Sequence, residues 1–260
     1  MTAKSQNSRV AIVTGGAGGI GKAISLKLVE AGLRVAIIGR NEGKGLETVK
    51  GIVEQGGEAG FFKADLGVDA DIKNAVDGII DKFNRIDVLV NNAAISGFMG
   101  AVTDTPLSEL ENTLKVNLVS IFYLSQLVLP KMIENKYGRI INISSVAYRK
   151  APPNSATYNI SKAGLNTLTK TLSKEVASYG ITVNAVAPGL VLTDRIIQSR
   201  LPGLAEKSGI TPEEMLLRLA GDTDTGRLTK EEDVAELVMF LASNASQNIT
   251  GEIINVAGGS

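Results

Sequence analysis

Two spacings of apolar residues alternate along this chain. Short runs rich in β-branched residues read as buried strands: Arg9–Thr14, Leu33–Ile38, Phe61–Ala64, Val88–Asn91, Arg139–Ser144, Thr182–Val186 and Glu252–Val256. Between them lie longer stretches whose apolar residues recur every three or four positions, the period of an amphipathic helix. One follows Gly21, with Ile24, Leu28 and Val29; the others are Glu42–Gln55, Asp71–Phe83, Leu107–Lys131, the stretch that Tyr158 opens, and Lys230–Ala242. Gly56-Gly57 and Gly180 close two of these helices, as glycine does past a C-terminus. Strands alternating with helices predict a single α/β domain, a doubly wound parallel sheet with helices on both faces and right-handed crossovers. Ligands of such sheets bind beyond the C-terminal ends of the strands. Gly15–Gly21, Arg40, Asp65, Asn91, Ser145 and Pro188 all follow strand ends, so they are expected along one edge.

Leu190–Asp224 breaks the rhythm. It carries Pro202-Gly203, Gly209, Pro212 and Gly221, and one helical piece, Pro212–Leu219. A long insertion after a strand end reads as a lid, or as a passive surface excursion. Met1–Ser8 is polar and without an apolar signal core, and is expected to be a flexible tail to a domain of residues 9–260.

Composition removes several chemistries. Of 260 residues, 44% are hydrophobic, enough for a sizeable core. Lys and Arg balance Asp and Glu at 27 each, which gives no electrostatic case for nucleic acid. No apolar run reaches the ~18 residues of a membrane span, so no membrane partner and a cytoplasmic location are expected. The absence of His excludes a Ser-His-Asp triad, and the absence of Cys excludes thiol nucleophiles and thiolate zinc. No clustered carboxylate loop offers oxygen ligands, so no metal is expected. Proton transfer is left to Tyr, Lys, Asp and Glu.

Thr14-Gly-Gly-Ala-Gly-Gly-Ile-Gly21 lies between a strand and a helix. In that context glycines let Gly15, Gly18, Gly19, Ile20 and Gly21 approach a pyrophosphate, and the helix N-terminus supplies free N–H groups. The second strand runs into Gly39-Arg40-Asn41, where an acid would select a bare ribose. Arg40 would instead pair with a 2′-phosphate, which favours NADP over NAD; it also reads as a solvated loop residue. Asp65-Leu66 follows the third strand, and Asp65 either accepts from an adenine amino group or caps the next helix. Asn91-Asn92-Ala93 follows the fourth, with small residues that permit close approach to a ribose. Asn117 sits mid-helix, where Asn is a poor former, and so is assigned a hydrogen-bonding role. Tyr158 and Lys162 stand one helical turn apart, and an ammonium beside a phenol lowers the phenol's pKa from about 10, toward acid–base use.

Taken together, these motifs identify the chain as similar to the short-chain dehydrogenase/reductase family along nearly its whole length. The carriers are Thr14–Gly21, Asn91-Asn-Ala93, Asn117, Asn142-Ile-Ser-Ser145, Tyr158-x-x-x-Lys162 and Pro188-Gly189-x-Val191-x-Thr193. The resemblance implies a seven-stranded Rossmann sheet, a nicotinamide cofactor, a homotetramer and a catalytic tetrad of Asn117, Ser145, Tyr158 and Lys162. It implies that Pro188, Gly189, Val191 and Thr193 hold the carboxamide, and that Lys162 also bonds the nicotinamide ribose. Three positions depart from the family pattern. Ala94 replaces a Gly, Gly18 stands where NADP-preferring members often carry a basic residue, and Ala257 replaces an Asp. The expected activity is hydride transfer between nicotinamide and a small-molecule carbonyl or secondary alcohol, with a 3-oxoacyl-carrier-protein reductase as the alternative. Arg149, Lys150, Arg195 and Arg200 suit an anionic substrate, or are solvated charges. A methyltransferase would also use a glycine loop, but gives no reason for Ser145, Tyr158 and Lys162 together; a nucleotide-sensing or scaffold protein is the remaining non-enzymatic reading.

Overall fold

A computed structural model of the chain describes residues 9–194 and 196–259, with Arg200 described by its backbone alone. The expected tail at residues 1–8, and Arg195, lie outside the described residues.

Seven strands are hydrogen-bonded in parallel in the order β3-β2-β1-β4-β5-β6-β7. They are β1 Val10–Thr14, β2 Arg34–Gly39, β3 Ala59–Lys63, β4 Val88–Asn91, β5 Gly138–Ile143, β6 Ile181–Pro188 and β7 Ile253–Val256. Every residue of β1, β4, β5 and β6 is buried, as continuous apolar runs covered on both faces should be. Successive side chains point to opposite faces, so each strand feeds two cores. Ile12 and Ile38 meet α3 (Asp69–Phe83), α5 (Ser120–Glu134) and α7 (Ala156–Val176). Val13 and Ile37 meet α1 (Gly19–Glu30), α2 (Glu42–Glu54) and α10 (Glu231–Ala242). The chain order reverses beside β1, between β1 and β4, which opens a crevice at the C-terminal edge of the sheet.

Two elements differ from their expected form. The long helix is continuous over Leu107–Glu134 but in three parts: α4 (Leu107–Leu114), a π turn at Lys115–Val119, and α5. By length and composition it is apolar enough to cross a membrane, unlike any unbroken apolar run in the sequence. Ile121, Leu124, Val128 and Met132 are nevertheless buried in the core beneath the sheet. The stretch Leu190–Asp224 is mostly helical rather than irregular, with a π turn at Ile196–Arg200, α8 (Leu201–Ser208) and α9 (Pro212–Gly221). Pro202-Gly203 reads as a break, but α8 follows the π turn without interruption, so Pro202 sits inside a continuous helical run at the place where its ladder is already irregular. At α9, Thr211 and Glu214 exchange hydrogen bonds of 3.2 and 2.8 Å, with Pro212 following the cap. Leu201, Ala205 and Met215 close a small core of their own between α8 and α9, separate from both main cores. The hairpin is rooted where Val191 bridges Thr229 and Leu192 N–H donates to Thr229 O at 3.1 Å. The remaining short helix, α6 (Ala147–Lys150), lies in the loop between β5 and α7.

Candidate active site

The glycine loop is built by exclusion of side chains. Gly15 and Gly19 have φ of +66° and +53°, and a Cβ on Gly21 would run into the Gly15 carbonyl and the Asn92 amide. Ser25 Oγ braces the turn through the carbonyls of Gly16 (3.1 Å) and Gly21 (2.9 Å). Gly18 precedes α1 without any side-chain cap, so the first-turn N–H groups stay available to an anion. Thr14 and Asn92 lock the ends of β1 and β4 together. Thr14 Oγ1 accepts from the Asn92 and Ala93 N–H groups at 2.9 and 3.0 Å, and Asn92 Nδ2 donates to Thr14 O at 2.9 Å. Neither role was expected from the sequence, although Thr14 heads the glycine motif.

From this loop a cleft of ≈ 300 Å³ runs past Gly39 and Arg40 to Asp65 and Leu66, with Ala93, Ile95 and Val116 on its other wall. Arg40, Asp65, Leu66 and Ala93 are thus brought together as expected of an adenosine site. Asp65 is no helix cap: α3 begins after Val68, while Asp65 Oδ1 accepts from Gly67 N–H at 2.8 Å and Oδ2 lies 3.6 Å from Arg40. Asn91 needs correcting. Its side chain is buried and donates to Asn142 Oδ1 at 2.8 Å, and Asn142 in turn donates to Thr169 at 2.9 Å. It is therefore Asn92, one residue on, that lines the cleft. At the other side of the loop, a methyl on Gly19 would lie 3.6 Å from Thr193. Thr193 belongs to the segment leaving β6: Pro188 ends the strand, Gly189 N–H donates to Val256 O at 2.9 Å, and Val191 is buried.

The chemical groups stand at the ends of β5 and α7. Lys162 is buried, and Nζ donates to Ile143 O at 2.7 Å, two residues before Ser145. Burial pushes its pKa from 10.5 down to about 8. Nζ is 5.6 Å from the centroid of the Tyr158 ring, on the same helical face, as the four-residue spacing requires. Ser145 is partly exposed, its Oγ accepting from Ala147 N–H at 3.2 Å. Asn117 is fully buried in the π turn, which explains a poor helix former at that place. Its Oδ1 accepts from Ile95 N–H and its Nδ2 donates to Ile95 O, both at 2.9 Å. The amide so pins the loop that follows β4 to the long helix.

A model of the short chain dehydrogenase family matches residues 9–201. This chain belongs to the short-chain dehydrogenase/reductase family. A 3-oxoacyl-[acyl-carrier-protein] reductase of Synechocystis sp. is 37% identical over 97% of this chain and 96% of its own. An actinorhodin polyketide ketoreductase solved with NADPH superposes with a TM-score of 0.92 at 34% identity, covering 98% of this chain and 97% of that one. An NAD⁺-bound xylitol dehydrogenase gives 0.90 at 31%, covering 96% and 98%. The chain is accordingly an NAD(P)-dependent oxidoreductase acting between CH–OH and carbonyl groups. The side-chain-free cradle at Gly21 and the uncapped start of α1 fit the pyrophosphate of such a cofactor. As a short-chain dehydrogenase/reductase, it would hold the adenosine half between Arg40 and Leu66 and the nicotinamide half beside Thr193 and Lys162.

Proposed function

We propose that the protein is an NADP-preferring reductase of a small carbonyl compound, with Tyr158 as the proton donor and acceptor. The observation that carries this reading is the buried Lys162, held at 2.7 Å on the Ile143 carbonyl with its charge toward the Tyr158 ring. When bound, nicotinamide supplies or receives the hydride. Tyr158 gives its proton to the nascent alkoxide, or takes it from the alcohol in the reverse direction. Lys162 favours the phenolate electrostatically, Ser145 donates a hydrogen bond to the substrate oxygen, and Asn117 fixes the loop against which the cofactor rests. A panel of ketones and alcohols with both cofactors tests the activity; absence of turnover on every member refutes it.

The cofactor preference is argued from Gly39 and Arg40. Among the described residues, a Cβ added at Gly39 would come within 4 Å of Phe61 alone, at 3.6 Å, so the strand end leaves room for a phosphate. Arg40 is largely exposed and 3.6 Å from Asp65, close enough to turn toward a 2′-phosphate. Gly18 adds no second charge, so the preference is expected to be modest. Arg40→Ala should weaken NADP alone by about ten- to a hundredfold, the size of a charge-assisted hydrogen bond. Gly39→Asp should move the preference toward NAD. Equal weakening of both cofactors by Arg40→Ala, read from kcat/KM, refutes the assignment.

A 3-oxoacyl-carrier-protein substrate is the second reading. It is supported by exposed Arg149 and Lys150 on α6, beside Ser145, and by the Synechocystis relative. We place the α8–α9 hairpin over that substrate as a lid and the protein in the cytoplasm. A homotetramer is also proposed. Val119, Phe122 and Ile160 are exposed apolar side chains on the long helix and α7, which suit pairing with symmetry mates. Mass measurement in dilute solution is expected to give four chains; a monomer removes the claim.

A further inference from the structure

We propose that Ser161 is a positioning residue for the reaction, tying the proton-transferring tyrosine to the loop on which the cofactor rests. The assignment rests on the reductase reading of the site. Ser161 is fully buried, one residue before Lys162, and does not face the cleft. Its hydroxyl works in both directions. It accepts a hydrogen bond from Asn117 Nδ2 at 3.1 Å and donates one to the carbonyl oxygen of Tyr158 at 2.8 Å. Asn117 holds both backbone groups of Ile95, which lines the cleft. An unbroken line of hydrogen bonds therefore runs from Ile95 through Asn117 and Ser161 to the backbone of Tyr158.

The placement of this line has a physical consequence. Tyr158 lies in the first turns of α7, and Ser155, which precedes that helix, provides no side-chain cap. Ser161 does not replace that cap, which would serve N–H groups. Its hydroxyl instead ties the Tyr158 carbonyl to Asn117, a side chain of another helix, at the residue whose phenol must be placed correctly. The other end of the line is Ile95, so the wall of the cleft and the backbone of Tyr158 are positioned by one set of hydrogen bonds. A hydroxyl is needed for this, since only a group that donates and accepts at once can join an amide N–H to a carbonyl.

Ser161→Ala deletes one oxygen in a helix, so the variant should fold. Its kcat is expected to fall about five- to twentyfold, a loss typical of a reacting group displaced by a fraction of an ångström. The cofactor Kd, read by titration of the protein without substrate, should stay within about twofold, since no bond to the cleft wall itself is lost. The limb of the pH profile for alcohol oxidation that reports Tyr158 should move to higher pH, because the phenol is held less closely to the Lys162 ammonium. In the cycle with Asn117→Ala, the double variant should be no more than about twofold slower than Asn117→Ala alone, as for two members of one line. A merely structural serine would lower the melting temperature and leave kcat and the pH profile where they were, and that result overturns the proposal. Multiplicative losses in the cycle overturn it as well. A wild type without turnover overturns the reductase reading and this proposal together. A turning-over wild type with an unchanged Ser161→Ala removes the role of Ser161 alone.

Discussion

Tyr158→Phe is expected to remove about three to four orders of magnitude from kcat while the protein binds its cofactor as before; general acid–base catalysis is worth about 10²–10⁴. The composition makes the loss hard to relieve. With no His or Cys anywhere, the neighbour whose pKa comes nearest to neutrality is Lys162, at about 8, and it is held on the Ile143 carbonyl. The other side chains of the site have other duties: Lys162 is bonded to Ile143 O, Ser145 receives Ala147 N–H, and Asn117 is taken up by Ile95 and Ser161. Phe fills the same volume on the same face of α7, so the melting temperature should hardly change. Single-turnover hydride transfer and cofactor titration on the same preparation check the two halves of this expectation. A Phe variant that keeps a tenth of the wild-type rate would show that another group carries the proton.

Lys162→Met is expected to act in opposite directions on activity and stability. Loss of the charge beside Tyr158 should cost about a thousandfold or more in kcat, within the span of a proton-transfer step that loses its tuning. Stability should rise. Burial holds the Lys162 pKa at about 8 against an ordinary 10.5, a difference of roughly 3 kcal/mol at ~1.4 kcal/mol per pH unit. Against this stands the hydrogen bond lost by the Ile143 carbonyl, about 1–3 kcal/mol. A net gain of about 1 kcal/mol, or a few degrees in melting temperature, is expected at neutral pH without cofactor. The pH dependence gives the clearer signature. Between about 8 and 10.5 the unfolded chain holds a proton on Lys162 that the folded chain has released. Wild-type stability from this group therefore increases as pH rises through that window, and the full cost is present below it. The advantage of Met should shrink over the same window and reverse above it, where only the lost hydrogen bond remains. Melting curves at neutral pH and near pH 10 measure this directly, and a constant difference would refute the assigned burial cost.

Much of this could be read from the sequence, for stated reasons. Strands buried on both faces spell themselves as unbroken apolar runs, so β1, β4 and β5 were found within a residue or so. Tyr158, Lys162 and the glycine loop were legible because helical period and the strand–loop–helix context fix their geometry. What escaped depends on partners far along the chain. Asn91 and Asn92 are neighbours of the same type, and only the pleat of β4 decides which enters the core with Asn142 and which meets Thr14. Asp65 reads equally as a ligand or a cap because both roles need a carboxylate after a strand; the structure puts it on the cleft wall, bonded to Gly67 N–H, and starts α3 at Asp69 without it. Ser161 gave no signal, since a serine within a helix is usually unremarked. The α8 helix is hidden by Pro202-Gly203, which reads as punctuation although the helical run passes through it from the π turn at Ile196–Arg200.

The π turn at Lys115–Val119 lets one helix answer to two masters. A π turn holds one residue more than the α-helical turn it replaces. Deleting one residue between Leu114 and Ser120 would therefore return the segment to α-helix and leave α4 and α5 nearly in their present phase. Leu124, Val128 and Met132 would stay in the core. What would go is the displaced turn itself, in which Asn117 is buried and bonded to both backbone groups of Ile95. The extra residue confines an irregularity to one turn: the helix on either side keeps its packing face, and a single amide steps out of line to serve the site.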